Sequence, residues 1–293
     1  MTPEVKRITS ELELLKGLPR SDAEGYVVVV TAAVDVDRDG ANIGSAARLL
    51  RLNESDVKRV FNFLQATPVA RLSSAEEADR LRQELQAFEL ESISVPESVL
   101  RLRDKGKRIR ALTLTEESLT GVGPQKYSRA NVSYEDICLI VQGRLFSQRI
   151  EAEGNQRRRR TKSIDRREFS LDDSVLDIYI GDDEVNWRIM GSNFDFSCLA
   201  ARKRATAFEN FALLVELLRE RVPAPFDNAY IHSRQLLNVV WPLEQRITKD
   251  HRRRSGGRKS DVATITITDN DEQFTRYSRL RHYLTCHESL TTR

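Results

Sequence analysis

Three aspartates at alternate positions, Asp35, Asp37 and Asp39, precede Gly40 in the segment DVDRDG, which is how a calcium-binding loop begins. Carboxylates at this spacing supply oxygen ligands to a hard cation, and the glycine allows the sharp turn. The twelfth position of such a loop carries a bidentate glutamate, whereas this chain has Ala46 there. Because calcium takes roughly six to eight oxygen ligands, this loss favours an acidic, solvated turn before a helix. A calcium site at the three aspartates is the alternative.

Near the carboxyl terminus, His282, Cys286 and His287 lie within six residues, and a helix would place His282 and Cys286 on one face. No fourth ligand for zinc stands out, so the pattern favours the end of a helix. The acidic clusters at 172–173 and 182–184 are typical of turns. The chain has no GxSxG, P-loop, GxGxxG or HExxH motif. We therefore predict a non-catalytic protein without a cofactor, and a site assembled only in space is the alternative.

Two basic runs are the main functional signal, RRRRTKSIDRR at 157–167 and RITKDHRRRSGGRK at 246–259. Each contains seven Lys and Arg residues, whose contact with phosphates would release counterions. Neither run contains the aromatic side chains on which single-stranded bases stack. The alternative is a pair of solvated loops. The residues predicted to bind a polyanion are Arg157, Arg158, Arg159, Arg160, Lys162, Arg252, Arg253, Arg254, Arg258 and Lys259.

Composition and charge predict two cytoplasmic domains of opposite sign. A chain of 293 residues with 40% hydrophobic and 31% charged residues is long enough for two cores. Residues 1–100 carry 12 Lys and Arg against 17 Asp and Glu, a net charge of −5, whereas residues 101–293 carry 35 against 27, a net charge of +8. The three cysteines form no CxxC pair and indicate reduced thiols. No apolar run is long enough to span a bilayer, and the amino terminus lacks a signal-peptide core.

The first part of the chain predicts an amino-terminal helix over 1–24 and a β-α-α-β-α-β module over 25–97. The apolar, β-branched run YVVVV predicts a buried strand. IGSAARLLRL and NESDVKRVFNFL predict two helices at a tight corner, the second capped by Asn53. A third helix begins at a capping box of Ser74 and Glu77, and LESISV is the last strand.

The two short helices have the spacing of a helix-turn-helix, which in DNA-binding proteins inserts one helix into the major groove. Lys58, Arg59 and Asn62 could face bases, but the helix begins with acidic residues and belongs to the segment of net charge −5. A polyanion would be repelled. We therefore predict an αα corner packed on a sheet.

This module resembles the carboxyl-terminal domain of the large-subunit ribosomal stalk protein, in VVVVTA and in the stretch from IGSAARLL to ESISV. The resemblance covers about 70 residues of the 293 and implies the fold. In that family a glycine-rich corner docks translation factors, whereas this chain has LRLNES there. Of the family's lysines only Lys58 has a counterpart, so factor binding does not transfer.

After a charged linker at 98–107 the pattern changes to strands. RIRALTLTEESLTGVG predicts a hairpin about EES, VSYEDICLIVQGRLFSQ a further strand pair, and LDIYIGDDEVNWRIM a hairpin turned at Gly181–Glu184. The strand pattern continues through Phe194, Phe196 and Cys198. A helix then ends at Pro223, and its inward face is predicted to comprise Phe208, Phe211, Val215 and Leu218.

Antiparallel strands closed by one helix resemble the pleckstrin-homology-like barrel of bacteria, with ALTLTEESL followed by SYEDI, over 108–223. The resemblance implies that the helix plugs one end and that loops at the other bind lipid headgroups or peptides. On this interpretation the first basic run lies in a loop insertion at 151–168. Residues 224–293 are predicted to be a mixed extension, anchored by Trp241, Phe274 and Tyr277.

The predicted fold class is thus α+β, a small β-α-α-β-α-β module followed by an antiparallel barrel-like domain with a capping helix. The leading functional prediction is a non-catalytic, cytoplasmic adaptor or regulatory protein that binds another protein. RNA or DNA binding through the basic runs, and peripheral binding to an anionic membrane, are the alternatives. Each would use the positive charge of the second part of the chain.

Overall fold

The computed structural model divides the chain into two compact units, Met1–Arg101 with Val239–Trp241, and Leu102–Asn238 with Pro242–Arg293. The predicted α+β class is confirmed, because helices accompany sheets whose strands pair mostly antiparallel. Among the described helices, none combines the length and hydrophobicity that a membrane crossing requires. The structure describes residues 25–33, 40–62, 66–101, 106–125, 129–154, 164–181, 186–252 and 261–291.

The first unit has the predicted element order, followed by one extra turn of helix. Its elements are β1 (Tyr26–Ala33), α1 (Gly40–Leu50), α2 (Glu54–Asn62), β2 (Thr67–Leu72), α3 (Ala75–Gln86), β3 (Leu90–Pro96) and α4 (Glu97–Leu100). β1 lies between β2 and β3 and pairs antiparallel with both. Its apolar run is buried because helices cover the sheet, and Val27, Val28 and Val29 are 0% exposed. The predicted amino-terminal helix over 1–24 lies outside the described residues.

The predicted caps at Asn53 and Ser74 are confirmed, but the predicted capping box of Ser74 and Glu77 forms only in its first half. Asn53 Oδ1 accepts a hydrogen bond from the Asp56 amide at 2.8 Å and caps α2. Ser74 Oγ accepts one from the Glu77 amide at 3.2 Å, whereas the Glu77 carboxylate accepts from Ser73. Side-chain oxygens at these positions satisfy amides that the first helical turn leaves without partners.

α2 packs its apolar face inward, as the αα-corner interpretation requires. Val57 and Val60 are 1% and 2% exposed, and Val57 joins Ile43 and Ala46 in one cluster. Lys58 lies on the exposed side of the helix. The helix is thus held by packing against its own unit.

The predicted linker at 98–107 has ordered structure at both ends. Leu100, in α4, is 1% exposed, and Lys107 already lies in a strand. Glu97 is 1% exposed because its carboxylate is paired with Arg71 at 2.7 Å and with Arg101 at 3.0 Å. A buried carboxylate needs such partners, and here they fix the end of β3.

The second unit begins with two sheets that enclose one core. Its first elements are β4 (Lys107–Ile109), β5 (Ala111–Leu114), β6 (Ser118–Val122), β7 (Arg129–Ser133), β8 (Ile137–Gly154), β9 (Ile164–Ile180), β10 (Trp187–Met190) and α5 (Ala207–Arg221). β5, β6 and β7 form one sheet, and β4 pairs parallel with β10 in the other. Leu119, Leu176 and Leu214 contribute to the shared core from β6, β9 and α5.

The predictions for three aromatic side chains of this unit are wrong. Phe194 and Phe196 are buried, but Phe194 follows one 3-10 turn and Phe196 begins the next, instead of lying in a continuing strand. The Asp195 carboxylate accepts hydrogen bonds from Ser197 and stabilises this turn. Phe208 is 65% exposed because it lies in the first turn of α5, whereas Phe211, Val215 and Leu218 are buried as predicted.

Residues 224–238 and 242–293 belong to the second unit, and their strands widen its sheet. They form β11 (Phe226–Asp227), α6 (Tyr230–Val240), β12 (Glu244–Arg252), β13 (Asp261–Asp269) and α7 (Asp271–Thr291). The strand order is β12-β13-β8-β9-β10-β4, with β11 parallel to β8. The three predicted anchors are buried, Trp241 at 1%, Phe274 at 0% and Tyr277 at 3%.

Candidate polyanion-binding site

Each basic run includes part of a strand and the connection of a long hairpin in one sheet. β8 and β9 pair from Ile137↔Ile180 to Gly154↔Ile164, and β12 and β13 pair from Glu244↔Asp269 to Arg252↔Asp261. The strands therefore extend into both ends of the segment 151–168 that the sequence predicted to be a loop.

The register of β13 on β8 sets the two hairpins side by side. These strands pair antiparallel from Asp269↔Ser147 to Ala263↔Glu153. The strand ends Gly154, Ile164, Arg252 and Asp261 consequently lie at one end of the sheet, which we name the distal end. Neighbouring strands are about 4.8 Å apart, so four strand ends span about 15 Å.

Of the ten residues predicted to bind a polyanion, the backbone of Arg252 is placed, as the last residue of β12 opposite Asp261. The other nine lie outside the described residues: Arg157, Arg158, Arg159, Arg160, Lys162, Arg253, Arg254, Arg258 and Lys259. Asp35, Asp37 and Asp39 of the calcium alternative also lie outside them. Nine residues connect Gly154 to Ile164, and eight connect Arg252 to Asp261. Both runs are therefore tethered to the distal end by short connections.

The two hairpin ends carry much of the positive charge of the second part of the chain. Residues 152–167 carry seven Lys and Arg against two Asp and Glu, and residues 252–261 carry five against one. The two segments have net charges of +5 and +4, compared with +8 for residues 101–293 as a whole. Charge gathered in this way produces a local positive potential.

Asn270, which is 1% exposed, fixes the junction of the two hairpins. Its Oδ1 accepts a hydrogen bond from the Phe146 amide at 2.6 Å, and its Nδ2 donates to the Arg144 carbonyl at 3.0 Å and to the Tyr230 hydroxyl at 2.8 Å. One side chain thus joins β8, α6 and the residue before α7. The sequence showed Asn270 only as a residue between a strand and a helix.

Beneath α7, a buried ion pair holds the helix on the sheet. Arg188, with 6% of its side chain exposed, donates to both oxygens of Asp177 at 2.7 Å. It also donates to Asp271 at 3.1 Å and to Thr275 at 3.0 Å. Such a bidentate pair fixes geometry as well as charge.

Buried hydroxyl groups complete this network. Ser278 Oγ donates to Asp177 at 2.8 Å and lies 2.9 Å from the Tyr179 hydroxyl. Burial raises the pKa of Tyr179 well above its usual range, and burial followed by the Asp227 charge does the same for the pKa of Tyr277. These phenols stay protonated at neutral pH and position α7.

The acidic and metal candidates have structural surroundings where they are described. Asp172 and Asp173 lie inside β9, not in a turn, because Asp172 pairs with Arg144 at 2.7 Å and Asp173 accepts from the Ser192 amide at 2.9 Å. Residues 182–185 lie outside the described part of the chain.

His282 stacks on Tyr179, with ring centroids 4.3 Å apart, and its Nε2 lies 3.4 Å from Cys286 Sγ. The predicted proximity of His282 and Cys286 on one helix face is therefore present. Within the described ranges no group of three or more His, Cys, Asp or Glu side chains could hold a metal ion.

Comparison of the chain with protein-family models, with curated proteins and with solved structures finds no match. The resemblances to the ribosomal stalk domain and to the pleckstrin-homology-like barrel therefore stay predictions.

Proposed function

We propose that the protein binds nucleic acid through the distal end of its second unit. The observation that carries this proposal is the register of β13 on β8, which tethers five cations of each basic run to four neighbouring strand ends. The runs are separated by 78 residues in the chain, and without this register they would be two unrelated segments. Because both runs lie at the distal end, they can bind the same ligand.

Charge density supports nucleic acid as the ligand. Duplex DNA carries one charge per about 1.7 Å of axis, so an end about 15 Å wide faces several phosphates at once. An anionic membrane would also attract these cations, by about 1 kcal/mol per basic residue near its surface, and the vesicle experiment below distinguishes the two ligands. A protein partner, the leading prediction from the sequence, would need a shape-complementary surface for which the register offers no support.

Phosphate contacts of this kind bind without reading sequence, because they carry no base information. We therefore expect the protein to bind nucleic acid with an affinity that depends on salt and little on base sequence. The first unit, with its net charge of −5 over residues 1–100, is not part of the proposed surface.

The test is fluorescence anisotropy of the full chain with labelled RNA and DNA over a salt series. The first variant replaces Arg157–Arg160 with serine, the second replaces Arg252–Arg254 with serine, and the third combines both. For duplex DNA each lost phosphate contact reduces the salt slope by about 0.9, so the first variant should reduce it by about 3 to 4. The double variant should lose most of the affinity.

A matched control replaces Arg202, Lys203 and Arg204 with serine, which removes the same three charges as the second variant from another exposed stretch. This control should bind almost as the parent does. Unchanged affinity of the double variant would remove the proposal. Co-sedimentation with phosphatidylserine vesicles without any affinity for RNA or DNA would replace it with the membrane alternative.

A further inference from the structure

We propose that the outer edge of β9 pairs with the same edge of a second copy of this chain, joining two sheets about a two-fold axis at Phe169. We name residues 166–172 the β9 edge. This inference concerns self-association and is independent of nucleic-acid binding.

The β9 edge offers backbone groups for pairing. On one side β9 pairs with β8 along its whole length, from Ile164 to Ile180. On the other side β10 pairs only with residues 175–178. Among the described residues no strand pairs with this side of residues 166–172. An open edge of this kind is a template for another strand.

The same residues also expose apolar side chains. All six residues from Arg167 to Asp172 are exposed, including Phe169 at 54% and Leu171 at 59%. Strand residues two apart lie on one face, so these two side chains form one apolar strip. Pairing with a second edge would remove part of this strip from water.

The sequence of the β9 edge is self-complementary. It reads RREFSLD, with cations at the first two positions and an anion at the last. In an antiparallel pair centred on Phe169, Arg166 of one copy lies opposite Asp172 of the other, and Arg167 lies opposite Leu171. The two Phe169 side chains lie opposite each other, as cross-strand aromatic pairs do.

Neighbouring registers are unfavourable. A two-fold axis perpendicular to the sheet places a residue opposite its own counterpart. Centring the pair on Glu168 opposes two glutamates, and centring it on Ser170 places Glu168 opposite Asp172. Like charges directly opposite are destabilising, so Phe169 is the preferred centre.

Self-complementarity favours a second copy over an unrelated strand. An isologous interface uses one patch twice, so its charges must balance under the two-fold rotation, as those of Arg166 and Asp172 do. Asp172 already accepts from Arg144 at 2.7 Å, and a carboxylate has room for a second donor. The two distal ends would then lie at opposite ends of one continuous sheet.

The register is tested by disulfide trapping of the full chain without nucleic acid. Phe169→Cys places two thiols opposite each other and should give a covalent dimer under mild oxidation that a reductant dissolves. Leu171→Cys is the matched control, because residue 171 lies four positions from its counterpart, about 13 Å along the strands, beyond the reach of a disulfide. The parent chain controls for Cys138, Cys198 and Cys286.

Sedimentation velocity tests the association itself. The parent chain should sediment as a dimer, and Phe169→Arg should sediment as a monomer. Ile247→Arg, which changes an exposed residue of β12 at the outer edge of the sheet, should remain dimeric. A monomeric parent at about 100 µM would overturn the proposal. Equal trapping at positions 169 and 171, or a dimer unaffected by Phe169→Arg, would also overturn it.

Discussion

Replacing Arg188 with methionine should destabilise the second unit by about 3–5 kcal/mol. Asp177 is 0% exposed and receives two hydrogen bonds of 2.7 Å from this guanidinium. The substitution leaves the negative charge of Asp177 in the interior, and Ser278 is then the remaining hydrogen-bond donor to Asp177 in the network described above. Hydrogen bonds to charged groups contribute about 1.5–3 kcal/mol each, so two of them account for the expected loss.

The assay is urea denaturation followed by the fluorescence of Trp187, which is 2% exposed and precedes Arg188 in β10. A Trp241→Phe background isolates this signal, because the chain has two tryptophans. Two units need not unfold together, so a probe within the second unit is required.

The matched control is Arg202→Met, because the guanidinium of Arg202 forms an exposed ion pair with Glu216 at 3.8 Å. Surface ion pairs of this kind contribute about 0–1 kcal/mol to stability. Adding Asp177→Asn to Arg188→Met should recover part of the loss, since it removes the uncompensated charge. A loss below about 1 kcal/mol for Arg188→Met, equal to that of the control, would refute the reasoning.

Two further predictions concern packing and capping. Gly143→Ala would place a Cβ 2.5 Å from Cδ2 of the fully buried Phe274. The free energy of unfolding should therefore fall by about 1–3 kcal/mol, as measured by urea denaturation. Unchanged stability would contradict this steric overlap. Hydrogen bonds from the Thr206 hydroxyl, and then from the Thr206 backbone amide, lower the pKa of Glu209. The Glu209 carboxylate therefore stabilises the fold at pH values above its pKa in the unfolded chain. This stabilisation is lost as the pH falls through the pKa of Glu209 in the folded protein. Glu209→Gln should therefore lower the melting temperature at pH 7 but hardly at pH 3, and an equal decrease at both would contradict the prediction.

Signals between near neighbours in the chain determined the first unit. The run at Val27–Val29 predicted a buried strand, and Asn53 and Ser74 predicted the starts of two helices. Each signal acts within a few residues, because a capping oxygen bonds an amide two or three positions on. The sequence therefore predicted the element order correctly.

Local patterns gave wrong predictions where tertiary contacts decide the surroundings of a side chain. Asp172 and Asp173 suggested a turn, yet they lie in β9 because Arg144 and Ser192 supply their partners. Phe208 has the periodicity of an inward residue, but it lies in the first turn of α5 and is exposed. Turn propensity and helical periodicity record neighbours along the chain and carry no information about these contacts.

The sequence by itself determined that the positive charge is gathered in two runs, one on each side of a predicted helical region. Only the tertiary structure decided that both runs are tethered to one end of one sheet, through pairs such as Ala263↔Glu153. A strand repeats every two residues, so many partners and registers satisfy the same local pattern. The choice among them depends on packing across the whole unit, such as Asn270 against β8 and Phe274 over Gly143.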